Sequence, residues 1–184
     1  MGWVSGVDVT TETGVESPVR KIRSYAPASG QILGEAPVLG DVEVKAAMAR
    51  ARTAQKAWAG QSLDARCAQM QGLIDQIVDH AEELSDLLSM ECGKPRLEAL
   101  VHEVLVAADV GSYFIRRAPR ILAPREIELH LLKHRRSYVH YAPRGVIGII
   151  SPWNFPFVIP VGDTLSALIA GNAVVLKPSE VTPL

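Results

Sequence analysis

In the segment Gly145-Val-Ile-Gly-Ile-Ile-Ser-Pro-Trp-Asn-Phe-Pro156, a run of β-branched residues ends in a turn that contains two prolines. A continuous apolar run of this kind is typical of a strand that is buried on both faces of a parallel sheet. Proline cannot donate a ladder hydrogen bond, so the prolines mark the end of the strand. We therefore predict a strand over 146–150 that leads directly into a loop carrying Trp153 and Asn154.

A second buried strand is predicted one helix length further along, at Val174–Leu176. The intervening stretch, 157–170, is long enough for a crossover helix, and the following Gly-Asn pair tolerates the left-handed conformation that ends helices. In open parallel sheets, ligands bind just beyond the carboxyl ends of the strands. Asn154, Lys177 and Glu180 all follow such ends.

Two helices are predicted before residue 80. The first begins at an Asp41 cap and extends to about Trp58, and Ser62 caps the second, because short polar side chains accept hydrogen bonds from the free amides of a first turn. Apolar residues at helical spacing predict the buried faces of both. In the first helix these residues are Val44, Met48, Ala51 and Ala54 to Ala57, and in the second they are Met70, Leu73, Ile74, Ile77 and Val78.

Two further helices follow. The third, Ala81–Cys92, ends at Gly93, and the fourth extends from Leu97 to about Arg117 before prolines stop it. The predicted apolar face of the fourth helix consists of Leu100, Val101, Val104 and Leu105, and the prolines that end it are Pro119 and Pro124.

Two hairpins are predicted as well. The segment Ala26-Pro-Ala-Ser-Gly30 has turn chemistry and lies between short apolar runs, which indicates a hairpin over 22–36. Between 127 and 141 the pattern approaches period two, so 128–131 and 138–141 are expected to pair as strands.

Composition excludes several classes of function. A formal net charge of −1 gives no general attraction for nucleic acid or anionic membrane, and no apolar segment is long enough to cross a bilayer. Cys67 and Cys92 form neither a disulfide framework nor a paired metal motif, and His130 and His134 lie on a predicted strand, so no metal site is expected. Without a signal peptide, a cytoplasmic location is expected.

Each polar residue at the strand ends also has a simpler explanation. Trp153 can cover the end of the sheet, Asn154 can be a turn residue, and Lys177 can be merely solvated. The glycine pattern G-x-G-x-x-G that cradles phosphates is absent, so a nucleotide would have to be held without it. The functional interpretation depends on the combination of three different polar side chains, Asn154, Lys177 and Glu180, at neighbouring strand ends.

Two blocks resemble the NAD(P)-dependent aldehyde dehydrogenase superfamily. The first is the Pro-Trp-Asn-Phe-Pro block at 152–156, and the second is Ala-Gly-Asn-Ala-Val-Val-Leu-Lys-Pro-Ser-Glu-x-Thr-Pro at 170–183. Their spacing also matches, and the helical region with Glu91-Cys-Gly-Lys-Pro95 is similar to the amino-terminal half of that family. The resemblance spans roughly 22–184.

The resemblance implies roles for individual residues. Asn154 would donate a hydrogen bond to the oxygen of a tetrahedral thiohemiacetal, and Lys177 and Glu180 would hold the adenosine ribose of NAD or NADP. Ser179 would lie beside that ribose, where a small hydroxyl leaves room for a 2′-phosphate that Glu180 would repel. The cofactor cleft as a whole would comprise Ile150, Ser151, Pro152, Trp153, Asn154, Lys177, Pro178, Ser179 and Glu180.

The expected fold class is α/β: amino-terminal helices, the first βαβ of a Rossmann-like parallel sheet, and a hairpin arm, together an incomplete domain. Its expected divisions are a flexible tail (1–20), a mainly helical part of the cofactor-binding domain (21–126), an oligomerisation arm (127–143) and a truncated βαβ unit (144–184). Asp163 and Ser166 depart from residues common in the family, which leaves the subfamily and the substrate open.

The resemblance implies an enzyme that oxidises a small aldehyde to a carboxylic acid with NAD or NADP, forming a homo-oligomer at full length. The family's catalytic cysteine and general base are expected to be missing from this chain, so the chain alone is expected to be inactive. The alternative is a truncated, non-catalytic module for binding or oligomerisation.

Overall fold

The computed structural model describes residues 20–184, so the predicted tail 1–20 lies outside the described residues apart from Arg20. Helices dominate the first two thirds of the described part, and a parallel βαβ unit follows. In chain order the elements are β1 (Lys21–Tyr25), β2 (Ile32–Pro37), α1 (Asp41–Ala59), α2 (Leu63–Asp79), α3 (Ala81–Cys92), α4 (Arg96–Ala99), the π turn (Leu100–Val104), α5 (Leu105–Ile121), β3 (Arg125–Ile127), β4 (Ser137–Val139), β5 (Val146–Ile150), α6 (Val158–Ile169) and β6 (Ala173–Lys177).

Strands β5 and β6 form the predicted parallel pair, with Val146 opposite Ala173 and Ile150 opposite Lys177. Helices α1 and α6 both pack against this pair. The expectation of burial on both faces is wrong at the carboxyl ends, where Ile150 is 81% and Leu176 44% exposed. The physical reason is that no helix or strand within 20–184 shields these two side chains from solvent.

The turn between α6 and β6 is stabilised by a left-handed glycine and by the hydrogen bonds of an asparagine side chain. Gly171 adopts the predicted left-handed conformation, with φ of 87°. Asn172 does not, and its buried side chain instead bridges the βαβ unit: Oδ1 accepts from the amides of Arg144 at 2.6 Å and Gly145 at 3.0 Å, and Nδ2 donates to the carbonyl oxygen of Ala167 at 3.1 Å. These bonds join the end of α6 to the start of β5.

The caps of α1 and α2 are formed differently. Ser62 caps α2 as predicted, because its hydroxyl accepts from the amide of Ala65 at 3.2 Å. The predicted Asp41 cap of α1 is wrong, since Asp41 is already the first helical residue. There the amide of Gly40 donates to Glu43 Oε2 at 2.9 Å, so the helix's own third residue reaches back to its start.

Helix α1 is attached through polar groups rather than through the predicted apolar stripe. None of its residues is fully buried, and Val44 is exposed. Its contacts with the βαβ unit include two side-chain hydrogen bonds to carbonyl oxygens: Trp58 Nε1 donates to Leu168 at 2.7 Å, and Gln55 Nε2 donates to Gly171 at 2.9 Å. Leu168 is in the last turn of α6, whose carbonyls lack amide partners further along the helix, and Gly171 lies two residues beyond its end.

Helix α2 contributes the central part of the core. Met70, Ile74 and Ile77 are buried as predicted, whereas Leu73 and Val78 are exposed. Leu73 and Val78 each directly neighbour a buried residue along the chain and therefore lie about 100° away around the helix, outside the buried face.

Helix α3 ends at Gly93, as predicted, with φ of 71°. One residue before Cys92, the buried carboxylate of Glu91 connects distant parts of the chain. Its Oε1 accepts from the hydroxyl of Ser24 on β1 at 2.7 Å and from the amide of Leu184 at 3.0 Å. Glu91 therefore ties the first hairpin and the segment after β6 to the helical part.

The fourth predicted helix continues beyond its expected end at Arg117. Residues 96–121 are helical throughout, with Pro119 inside α5. The proline removes one amide but not the turn, because the amide of Leu122 still donates to the carbonyl oxygen of Ala118 at 2.9 Å. None of the helices in the part of the chain that the structure describes has the length and apolarity needed to cross a membrane.

The π turn changes which side of this helix faces inward. Val104 is buried as predicted, but Val101 and Leu105 are exposed, and Glu103 is completely buried. A π turn contains an additional residue and so rotates the following side chains relative to an α-helical register. The apolar-stripe prediction for this helix was therefore wrong at Val101 and Leu105.

Both predicted hairpins form, one of them with shifted strands. β1 and β2 pair antiparallel around the turn that contains Gly30. In the second hairpin β3 and β4 pair with Arg125 opposite Val139, so the predicted strand 128–131 is misplaced and the predicted strand 138–141 is correct only at Tyr138 and Val139. The intervening residues form an exposed tip, where Leu131 is 85% exposed. Without burial of one face, alternation does not determine strand position.

Asn172→Ala should lower the free energy of unfolding by about 2 kcal/mol, because it leaves two partly buried amides without their acceptor. Urea denaturation measures this difference. The matched control is Gln71→Ala, which removes an exposed amide on α2 and should change stability by less than about 0.5 kcal/mol. Equal effects of the two substitutions would contradict the bridging role of Asn172.

Candidate functional site

The last residue of β5 and the loop from β5 to α6 together carry five of the predicted site residues, and their exposure differs sharply. Ile150, Trp153 and Asn154 are exposed, whereas Ser151 is buried and Pro152 is half-buried. No other residue in 20–184 forms a hydrogen bond with the side-chain amide of Asn154, so the group is available to a ligand. The position of Asn154 follows from the strand that precedes it and the helix that follows.

The second strand end lies beside the first. The amide of Ser151 donates to the carbonyl oxygen of Lys177 at 3.1 Å, which extends the parallel pairing one residue beyond the strands. Lys177 Nζ donates to Glu180 Oε2 at 2.8 Å, and both side chains are mainly exposed. This hydrogen bond holds the pKa of the Glu180 carboxyl below its usual value.

The remaining predicted residues of this segment have different environments. Pro178 is exposed, whereas Ser179 is buried and its hydroxyl accepts from the amide of Val181 at 3.2 Å. The structure therefore brings Asn154, Lys177 and Glu180 to one edge of the sheet with solvent access, while the hydroxyl of Ser179 is used within its own turn.

The residues at this edge fit a dinucleotide in their chemistry. Two buried hydroxyls, on Ser151 and Thr182, lack a hydrogen-bond partner among the described residues, and buried polar groups normally have one. Lys177 supplies donors and Glu180 supplies acceptors, which is the combination that ribose hydroxyls require. An open depression of about 410 Å³ follows β5 from Ile147 to Ile150 and includes Asp163 and Ser166, but not Asn154 or Lys177.

A buried ion pair beneath the loop was missed by sequence reasoning. Glu103 on the π turn pairs with Lys94, and its Oε2 accepts from the amides of Phe157 and Val158 at 3.0 Å each. Lys94 also donates to the carbonyl oxygen of Asn154 at 3.0 Å. The available signal was a glutamate in the middle of an apolar helical stripe, a position where an unpaired charge is rare.

The two cysteines are poor nucleophiles at neutral pH. Cys92 is the last residue of α3, as predicted, and its Sγ lies 4.0 Å from the carbonyl oxygen of Trp153 in the site loop. Burial raises the pKa of this thiol to about 11. Burial also raises the pKa of Cys67. Since the thiolate is the reactive form, proximity to the loop does not make Cys92 reactive.

Between residues 20 and 184, no three or more His, Cys, Asp and Glu side chains are grouped as metal ligands. Histidines at 130 and 134 belong to the exposed tip between β3 and β4 rather than to the predicted strand.

Comparison with known proteins identifies relatives for nearly the whole chain. A family model described as the aldehyde dehydrogenase family matches residues 15–184. The chain is 40% identical over 155 residues to a putative succinate-semialdehyde dehydrogenase [NADP(+)] 2 of Mycobacterium tuberculosis (strain H37Rv), covering 84% of this chain and 30% of that protein. The chain therefore spans about 30% of the length of the curated relatives it matches.

Solved structures of dehydrogenases are also similar to this chain. An aldehyde dehydrogenase from Brucella melitensis biovar abortus 2308 is similar with a TM-score of 0.84 and 30% identity, covering 89% of this chain and 33% of that one. An NADP-dependent glyceraldehyde-3-phosphate dehydrogenase from Bacillus halodurans C-125, complexed with NADP, has a TM-score of 0.82 and 30% identity, with 89% and 35% covered. These similarities support the predicted α/β fold.

Cys92 should be alkylated by iodoacetamide at pH 8 roughly tenfold more slowly in the folded chain than in urea. The rise in pKa from 9.0 to about 11 lowers the thiolate fraction about a hundredfold, and the greater basicity of that thiolate recovers about tenfold of the rate. The measurement uses Cys67→Ala, so that one thiol reports, and mass spectrometry of the product. Faster alkylation in the folded chain would identify Cys92 as an activated nucleophile.

Proposed function

Because this chain belongs to the aldehyde dehydrogenase family, we propose that it forms the part of an aldehyde-oxidising site that holds NAD or NADP and supplies one oxyanion donor. The observation that carries this proposal is the pairing of two strand ends: Ile150 lies opposite Lys177, which places Asn154 and the Lys177–Glu180 pair at the same edge. Ligands of parallel sheets bind at that edge.

Asn154 is proposed to act on the reacting oxygen. When a nucleophile adds to an aldehyde, negative charge develops on the former carbonyl oxygen, and a fixed amide donor stabilises that charge more than it stabilises the substrate. One donor of this kind lowers the barrier by about 3 kcal/mol. Asn154 fits the role because its side chain is exposed while its backbone carbonyl is held by Lys94.

The other strand end is proposed to hold the adenosine ribose. A nicotinamide cofactor, when bound, supplies the acceptor for the substrate's hydride. Lys177 donates to ribose oxygens and Glu180 accepts from ribose hydroxyls, while Ile150, Ser151, Pro152 and Trp153 line the approach. Pro178 and Ser179 shape the turn beneath them. A 2′-phosphate would meet the negative charge of Glu180, which favours NAD over NADP at this position.

Neither cysteine of this chain is proposed as the nucleophile. Both thiols have raised pKa values, and neither lies in the sequence context of the family's reactive cysteine. The substrate is proposed only as an aldehyde, since one relative at 40% identity is named for succinate semialdehyde and another at 30% identity for glyceraldehyde 3-phosphate.

The exposed hairpin of β3 and β4 supports a role in self-association. Its tip exposes Leu131 and Leu132 to solvent, and apolar side chains at a hairpin tip are stabilised when another surface covers them. We therefore propose that residues 127–143 form an oligomerisation arm. The same surface is what a non-catalytic module would use.

Asn154→Ala, made in the protein as its gene encodes it, should lower kcat about a hundredfold to a thousandfold and leave cofactor affinity nearly unchanged. Steady-state kinetics with an aldehyde panel and cofactor titration measure the two quantities. Gln69→Ala, which truncates an exposed amide on α2, is the control and should leave both unchanged. Unchanged turnover together with weaker cofactor binding would reassign Asn154 from catalysis to scaffolding.

Glu180→Gln should raise the affinity for NADP relative to NAD by roughly threefold to tenfold, because it removes a charge that faces the 2′-phosphate. Lys177→Ala should weaken both cofactors by about tenfold, since both lose the ammonium donor. Dissociation constants from fluorescence titration provide the comparison, with Glu128→Gln on the exposed hairpin as the charge-matched control. A preference that does not respond to Glu180→Gln would show that Glu180 does not face the ribose.

A further inference from the structure

The helix that follows the site loop has no cap of its own. No side chain near the start of α6 accepts from its first amides, and its N-cap residue is Phe157. The amides of Phe157 and Val158 donate instead to Glu103 Oε2, at 3.0 Å each, from a residue more than 50 positions earlier in the chain. A carboxylate at this position also interacts favourably with the positive end of the helix dipole.

The second oxygen of the same carboxylate is occupied by Lys94. Glu103 is 0% exposed, and its Oε1 pairs with Lys94 Nζ. Lys94 in turn donates to the carbonyl oxygen of Asn154 at 3.0 Å and lies 4.9 Å from the centre of the Phe155 ring. The two side chains therefore contact residues 154, 155, 157 and 158 in one continuous network.

All the recorded partners of Glu103 are hydrogen-bond donors. They are one ammonium and two backbone amides, so the position requires a group that accepts at both ends. Glutamine has nearly the same shape but presents one amino group, which would face a donor whichever way it is turned. A buried charge without its partner is strongly unfavourable, which ties Lys94 and Glu103 together.

The network holds the backbone of Asn154 without engaging its side chain. Hydrogen bonding to the Asn154 carbonyl restricts the peptide plane that this residue shares with Phe155, and the cap on α6 anchors the other end of the loop. The direction of the Asn154 side chain therefore depends on groups that never reach the ligand.

We propose that Glu103 and Lys94 are positioning residues for Asn154: the buried pair sets the place and direction of the oxyanion donor from below the loop. The inference rests on the proposed function for its catalytic consequence. The cofactor residues Lys177 and Glu180 belong to β6 and the turn after it, where neither Lys94 nor Glu103 forms a hydrogen bond, so the pair affects the chemical step more than cofactor binding.

The first experiment tests the network without requiring turnover. Amide hydrogen exchange of the 184-residue chain, followed by NMR, should show Phe157 and Val158 protected in the wild type and exchanging roughly tenfold faster or more in Glu103→Gln. Glu98→Gln, the same substitution at an exposed position on α4, is the control and should leave both amides unchanged. Unchanged protection in a folded Glu103→Gln would overturn the proposal, whatever the activity results.

The second experiment tests positioning in the protein as its gene encodes it. Lys94→Met removes the ammonium and retains an apolar side chain at the edge of the network. This variant tests the network even if Glu103→Gln does not fold. We expect kcat to fall roughly tenfold to a hundredfold, since a displacement of about 1 Å has effects of that size, and cofactor affinity to fall by no more than about threefold.

A double-mutant cycle separates positioning from a general loss of stability. In an Asn154→Ala background, Lys94→Met should lower kcat by less than about twofold, because no donor remains to be positioned. Equal fold losses in both backgrounds would overturn the positioning role. If Asn154→Ala itself leaves turnover unchanged, the proposed function fails at Asn154, and the exchange measurement still tests whether the pair holds the loop.

Discussion

Buried backbone amides must have acceptors, and this requirement shapes the βαβ unit at both of its ends. At the end where α6 leads into β6, Asn172 accepts from the amides that precede β5. At the start of α6, Glu103 accepts from the first two helical amides. Neither acceptor is local to the amides it satisfies. The segment that runs from β5 through the Asn154 loop to the start of α6 is therefore held at its first end by Asn172 and at its last end by Glu103.

In this arrangement, buried side chains hold the backbone of the site loop, and the side chains of the loop itself are left free. Lys94 and Glu103 are largely or completely buried and contact main-chain atoms of the loop, whereas Trp153 and Asn154 present their side chains to solvent. Rigid support with free functional groups is what a transition-state donor requires, because a donor that must reorganise contributes less. The same division appears at β6, where the Ser179 hydroxyl is used within its turn and the Lys177–Glu180 pair is exposed.

The chain belongs to a known family but covers only part of the length of its relatives. The match over residues 15–184 and the agreement with solved structures establish which family the chain belongs to and how it is folded. The chain covers 33% and 35% of the two solved structures compared with it. In the proposed function this chain supplies cofactor-side groups and one oxyanion donor, and Ile150 and Leu176 are exposed at the strand ends beside them.

Local patterns in the sequence were sufficient for the helices, the first hairpin, the parallel strands and the strand-end residues. Periodicity, Ser62, Gly93 and Gly171 act through neighbours a few residues away, so their effects are visible in sequence. The face of the helix around Glu103 was beyond such reasoning, because a π turn reset its register. The strands of the second hairpin were misplaced, because neither face is buried. The network beneath Asn154 was decided by tertiary structure alone: its carboxylate and the amides it caps are 54 and 55 residues apart, and only folding brings them together.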